Sequence, residues 1–321
     1  MEKMKKLILL LFSVASLAVI PTSQATLIFH EPFDAAGGTT LANLGTPLGG
    51  SGSWSDNSSG TGNDGSGQEM TVRANGTTGA NSGQTWAGIP STSAYPNTGG
   101  FLEGERRNDN SGSISLSTSV ASEFVDGSTI WLSFVAGATL VPGQPDNHHK
   151  PNVAIGQGAL LDDRAQVAAG EAVGGGVAHN TSGGNPRARY WDDQNTDGLY
   201  EDFLGDRLSR ISPQQLFVTK FEFGAANDTI TTAVFDIESY LGLSESDFDN
   251  APQTTITTVN NLDNASFDTL SFHGSRSSYD EIRLATTFDE AVGLGGAVIP
   301  EPSSVLLSFI GLGVLVMRCR R

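Results

Sequence analysis

The chain holds one cysteine in 321 residues, Cys319. A disulfide framework is therefore excluded, whatever compartment the protein occupies. Basic residues are scarce as well: 18 Lys and Arg stand against 35 Asp and Glu, for a formal charge of −17. So acidic a chain repels phosphate backbones, and nucleic acid is not an expected partner. Catalytic signatures are missing too. The sequence has no Gly-x-Ser-x-Gly elbow, His-Glu-x-x-His or Cys-x-x-Cys, so serine-hydrolase and zinc chemistry have no positive support. Nor does it contain Glu-x-Asp-x-x-Glu, the spacing that sets carboxylates on one strand face for a retaining glycosidase. The nearest substitutes are Asp236-Ile237-Glu238, a pair on one face without a third member, and Asp280-Glu281, which strict alternation places on opposite faces. Outside the two ends no run carries a 3.6-residue stripe, and no fixed repeat supports a β-helix.

What is present makes strands and turns. Glycine accounts for 39 residues, about 12% against a usual 7% or so, and it comes with Ser, Thr and Asn. Residues 35–112 are rich in these types, with apolar landmarks at Trp54, Met70, Val72, Trp86, Phe101 and Leu102. Downstream, residues 114–116, 129–135 and 153–155 are short β-rich runs, and 189–191 is a further strand. Residues 215–223 alternate, with Phe217, Thr219, Phe221 and Phe223 on one face and Val218, Lys220 and Glu222 on the other. The loop 224–228 then leads into a second alternating run, 229–236, which makes the clearest hairpin in the chain. Residues 241–250 fit a short helix on a loop, and strands resume at 254–259, 267–272 and 279–287.

The two ends differ from the body. Lys3, Lys5 and Lys6, an apolar core over residues 7–20, and small residues Ser23 and Ala25 form a secretory signal peptide, with cleavage expected after Ala25. At the other end, Pro300-Glu301-Pro302 precedes an apolar run over residues 305–317 and then Arg318, Arg320 and Arg321. Thirteen residues make a helix of roughly 20 Å, short of the roughly 30 Å hydrocarbon core of a bilayer. The arginines hold that helix end on the cytoplasmic side, which leaves the body across the membrane. Both prolines push the preceding residue to extended backbone, so the helix cannot continue upstream. This arrangement resembles the PEP-CTERM sorting domain of Gram-negative bacteria. The resemblance implies recognition by an exosortase, transient membrane insertion, and delivery to the cell surface or an extracellular polysaccharide matrix. An ordinary single-span anchor is the alternative. The expected domains are thus 1–25 signal peptide, 26–299 body and 300–321 sorting tail. The leader takes three lysines and a glutamate and the tail three arginines and a glutamate, leaving 12 basic against 33 acidic residues and a body charge of −21.

Many short antiparallel strands without βα alternation predict an all-β, two-sheet antiparallel sandwich. Leu27-Ile28-Phe29-His30-Glu31-Pro32-Phe33-Asp34 opens the body, and Tyr279-Asp280-Glu281-Ile282-Arg283-Leu284 with Thr286-Thr287-Phe288 closes it. These segments resemble the first and last strands of laminin-G-like, concanavalin-type jelly rolls. The resemblance implies about a dozen strands and a late strand paired with the first.

One internal motif points to a ligand. Asp193, Asn195 and Asp197 alternate before Gly198, resembling the Asp-x-Asn-x-Asp-Gly core of an EF-hand or dockerin calcium loop. The twelfth position is Leu204 where an EF-hand has Glu, so Glu201 or Asp202 would have to substitute. A plain acidic turn is the alternative. His148-His149 lies in a proline-bracketed loop, where diverging side chains suit solvent better than a shared metal; His30, His179 and His273 are isolated. Trp54, Trp86 and Trp191 serve as core residues or as an aromatic platform. The expected function is that of a non-catalytic, exported matrix or surface protein, with extracellular polysaccharide and calcium as candidate ligands. The alternative is a divergent polysaccharide-active enzyme, a glycoside hydrolase or lyase.

Overall fold

A computed structural model of the chain describes residues 26–57, 70–74, 100–103, 109–138, 151–159, 170–177, 185–192, 201–206, 208, 214–237, 242–275 and 277–293. The signal segment with Ala25, the sorting tail with Pro300, Glu301, Pro302, Arg318, Arg320 and Arg321, and calcium-loop residues Asp193, Asn195 and Asp197 lie outside them. So do Trp86, His148, His149, His179 and Glu238. No helix among the described residues is long and apolar enough to cross a membrane.

The protein is a two-sheet antiparallel jelly-roll sandwich. The first sheet runs in the order β13(Gln253–Thr257), β12(Thr229–Asp236), β11(Gln214–Glu222), β6(Thr129–Ala138), β15(Ser277–Ala285), β4(Gly100–Glu103), β3(Thr71–Ala74), with β1(Leu27–Glu31) also on β15. The second runs β10(Glu201–Leu204), β9(Pro186–Asp192), β8(Ala172–Val177), β7(Asn152–Gly156), β14(Thr269–Ser275), β5(Asp109–Leu116), β2(Gly50–Asp56). The expected pairing of the first and last strands holds. Leu27 lies opposite Ala285 and Glu31 opposite Ile282, while β4 takes the other end of β15 at Ser278 and Tyr279.

Alternation places the core. In β11, Phe217 and Phe221 face the interior with Phe223 just beyond the strand, and the Phe217 ring stacks on Phe134 of β6 at 4.8 Å. Leu216 and Val218 point the other way into a second apolar layer. The hairpin expected from residues 215–236 is present, with Gln215 opposite Asp236 through Glu222 opposite Thr229. The expected short helix is α2(Glu245–Asn250), which follows α1(Thr118–Ala121) in the chain. Ser244 and Asp247 form its capping box, each satisfying the other's backbone N–H. Its Phe248, with Phe288 of α3(Phe288–Ala291), packs edge-on against Trp131, and these short helices seal the outer face of the first sheet.

One strand was illegible in the sequence. Ala172–Val177 reads Ala-Val-Gly-Gly-Gly-Val, and glycine disfavours strands, yet these residues form β8 in the middle of the second sheet. The reason is spacing between sheets. A Cβ on Gly175 would stand 2.0 Å from Thr219 Oγ1, which shares a 2.9 Å buried hydrogen bond with Thr232 of the same sheet. Gly175→Ala forces the layers apart at that point, and an overpacked core of this kind costs about 1–3 kcal/mol. Thermal melting should show a lower Tm than wild type; an unchanged Tm would mean that the sheets yield there freely.

Candidate functional site

The three described tryptophans are buried. Trp54 sits among Phe29, Phe33 and Phe272, Trp131 lies under α2 and α3, and Trp191 packs with Ala154 and Ala172. Trp54 and Trp191 are therefore core residues and not an exposed platform. His273 is buried as well, in β14, and His30 forms an ion-pair contact described below.

Two places combine concavity with perturbed charge. The first is at the end of the sandwich, where the turn before β6, the start of β8 and the β13–β14 connection meet. They enclose a cleft of about 640 Å³, lined by Val125, Asp126, Glu171, Asp263, Asn264 and the intervening loop residues. Its position follows from the register. Ala172 lies opposite Trp191, so Glu171 and Asp192 occupy the next rung, at the mouth between the sheets.

The electrostatics of this mouth are one-sided. Burial pushes the Glu171 carboxyl up, the Asp263 backbone N–H offsets part of that, and Asp192, Asp263 and Asp228 add repulsion. Asp228 is also pushed up by burial, although it accepts from the N–H groups of Leu262 at 3.0 Å and Gly224 at 3.0 Å. Asp192 Oδ2 and Asn264 Nδ2 are buried and have no hydrogen-bond partner among the described residues. Both atoms are closed to solvent, and other buried polar atoms elsewhere in the described residues share this state.

The second place lies where β1 meets β15. Residues Asp280 and Arg283 of β15 bracket Val135 and Ser133 of β6, so Glu281 and Ile282 together face Phe134 in a β-bulge. Glu281 has φ of +51°, outside the usual range for a residue with a Cβ. The bulge breaks the alternation that would set Asp280 and Glu281 on opposite faces. Glu281 Oε2 instead accepts from His30 Nε2 at 2.7 Å, Arg283 Nε at 3.0 Å and Arg283 Nη2 at 2.5 Å. Burial opposes ionisation of Glu281, but His30 and Arg283 together hold its carboxyl below the usual range. Glu31 behaves oppositely. Its Oε1 accepts from the Phe33 N–H at 2.9 Å and its Oε2 from Trp54 Nε1 at 2.8 Å, while burial drives its pKa up to about 7. Phe33 also has positive φ, at +48°. A cleft of about 330 Å³ opens beside His30, Glu31, Asp34 and Leu48.

Carboxylates with diverging acidity are how enzymes divide acid and base roles. Here the fold separates them. Glu31 shares the interior with Phe29 and Ile282, whereas Glu281 bonds to His30 and Arg283, which lie opposite one another on the other face.

Calcium finds no ready cage among the described residues: no three His, Asp or Glu side chains converge on one point. Of the expected calcium ligands, only the backbone of Glu201 is described, opposite Asp192 at the base of the β9–β10 hairpin. Sequence reasoning missed Asp126, Glu171, Asp263 and Asn264, which come from three separate segments without a local motif.

No family model and no curated protein matches the sequence. Solved structures do. The chain is similar to the endo-1,3-β-glucanase of Streptomyces sioyaensis, at 10% identity over 84% of this chain and 98% of that one, with a TM-score of 0.40. It is also similar to a seed lectin of Lotus tetragonolobus (10% identity, 78% and 96% coverage, TM-score 0.35). A third likeness is to the endo-β-1,4-glucuronan lyase of the fungus Trichoderma reesei (11%, 70% and 90%, TM-score 0.35). At about a tenth identity and TM-scores of 0.40 and below, these likenesses assign neither ligand nor reaction.

Proposed function

We propose that this chain is an exported, exosortase-sorted protein of the cell surface or extracellular matrix that binds carbohydrate at its acidic end cleft without catalysing a reaction. The observation that carries the binding role is the cleft itself. It has the volume of a small-ligand site, and it joins carboxylate acceptors of Asp126, Glu171 and Asp263 to the exposed amide of Asn261, with Val125 about half exposed at the rim. Sugar hydroxyls both donate and accept, and this set of side chains offers both complements. The export role rests on the sequence of the two ends, and calcium remains a proposed ligand of the 193–201 loop on its spacing alone.

Two measurements test this. The full chain on a glycan array, with and without calcium and alongside hydrolysis and lyase assays, should bind glycan and leave it intact. Glycan turnover would favour the enzyme alternative, and an array without hits would remove the binding role. In a host with an exosortase, mass spectrometry should find mature ends near Thr26 and Pro300. Replacing Pro300-Glu301-Pro302 by alanines should retain the tail; processing that ignores the change would overturn the sorting assignment.

A further inference from the structure

Strand β1 is lightly tied at its C-terminal end. Among the described residues its one ladder is with β15. Beyond that ladder, the end is held by the His30 N–H on Leu48 O at 3.1 Å, the Gly100 N–H on Phe33 O at 3.2 Å and the Phe33 N–H on Glu31 Oε1 at 2.9 Å. The first of these bonds joins the two walls of the 330 Å³ cleft, His30 to Ala35 on one side and Leu44 to Leu48 on the other. Strain gathers at the same place. Phe33 and Glu281 are the described non-glycine residues with left-handed backbone, and Phe33 follows β1 while Ile282, next to Glu281, lies opposite Glu31. Such conformations persist only where the surroundings impose them.

Within this junction lies a carboxyl that lacks a counter-charge. Glu31 is 5% exposed, and its hydrogen-bond partners, the Phe33 N–H and Trp54 Nε1, are neutral. The charged groups that act on it are Asp34 from its own segment and Glu281 from β15, and both are acidic. His30 of β1 and Arg283 of β15 stand on the other face, bonded to Glu281. From β2 it meets the Trp54 indole, and the wall 44–48 carries no titratable side chain. An ionised Glu31 here has lost its water and is repelled by its neighbours, and no cation among the described residues offsets either cost. Burial accordingly pushes its carboxyl up to about 7. A short strand end with few ties is the element that yields first.

We propose that the end of β1, from His30 to Asp34, is a proton-controlled strap: it lies closed over Trp54 while the Glu31 carboxyl is protonated, and it opens locally, widening the cleft against residues 44–48, when that carboxyl loses its proton. Opening carries Glu31 into water and relaxes Phe33, while Leu27 and Phe29 keep their places opposite Ala285 and Leu284.

Hydrogen exchange of the full chain, read by mass spectrometry and corrected for its intrinsic pH dependence, tests the strap. Protection of the His30, Glu31 and Phe33 amides should fall at least about tenfold between about pH 5.5 and about pH 8, because Glu31 releases its proton more readily in the open state. Glu31→Gln should remove this fall, and His30→Gln, which keeps a donor for Glu281, should retain it. At about pH 8 the exchange of these amides should ignore low urea, whereas that of the β11 amides, which requires wider unfolding, should accelerate. Protection that does not change with pH overturns the strap. A fall that persists in Glu31→Gln and vanishes in His30→Gln overturns the role of Glu31. Urea dependence equal to that of β11 shows that the end opens only with the whole fold, and this too overturns the proposal.

Discussion

Replacing Arg283 by Met should be among the most damaging single substitutions in the protein. Arg283 is 1% exposed and gives Glu281 two of its three hydrogen bonds, so its loss leaves a buried carboxylate with His30 alone. Breaking a buried pair by removing one partner costs roughly 3–5 kcal/mol, far above the value of an exposed pair, because the remaining charge keeps its desolvation penalty. Urea unfolding of Arg283→Met should show that loss as a lower midpoint at unchanged slope. The double variant Arg283→Met/Glu281→Gln should regain a large part of it, since a neutral amide is cheaper to bury than an unpaired carboxylate. A single-variant loss below about 1 kcal/mol would place the pair among surface-like ion pairs and sink the argument.

The second large effect is a pH dependence centred on Glu31. Its pKa is about 7 in the fold against 4.5 for the free side chain, chiefly because its carboxyl is buried, with repulsion from Asp34 and Glu281 added. The unfolded chain therefore releases this proton first as pH rises. Glu31 contributes its full stability below about pH 4.5, and the contribution is lost progressively as pH rises through about 7. The span of roughly 2.5 pH units corresponds to an order of 3 kcal/mol. Glu31→Gln should flatten this slope. Its amide nitrogen cannot accept from Trp54 Nε1, which costs about 1 kcal/mol at low pH. The two stability curves should then cross, with wild type ahead near pH 4.5 and the variant ahead above pH 7. Parallel curves would show that Glu31 ionises in the fold as it does in water. Because the carboxyl touches the Trp54 indole, native tryptophan emission should shift with a midpoint near 7 in wild type and not in the variant.

Both effects arise at residues that the sequence marked only as members of terminal strands. Leu27-Ile28-Phe29-His30-Glu31 and Asp280-Glu281-Ile282-Arg283 pointed to a first and last strand that pair, and they do. Their chemistry was hidden by one inserted residue. Reading alternate faces along β15 separates Asp280 from Glu281, but the bulge at Glu281 turns its carboxylate toward His30 and Arg283. Bulges depend on how neighbouring strands twist and pair, and they leave no dependable local mark unless a glycine occupies them. The same limit explains β8. Gly174-Gly175-Gly176 weaken a strand by local propensity; at Gly175 the opposing sheet comes too close for a side chain, and at Gly174 and Gly176 the neighbouring β7 segment does.

The amino-acid sequence by itself determined the absence of disulfides, the acidic character, the all-β class, the main hairpin and the pairing of the chain ends. These follow from composition and from a side-chain period of two, which act within a strand or between neighbours along the chain. Only the tertiary structure decided which faces are core, that the tryptophans at 54 and 191 are buried, and that Asp126, Glu171, Asp263 and Asn264 share one cleft. Those residues are separated by up to 138 positions in the sequence. They are brought together by the order of strands in two sheets and by the loops at one end, and local spacing carries no record of that long-range packing.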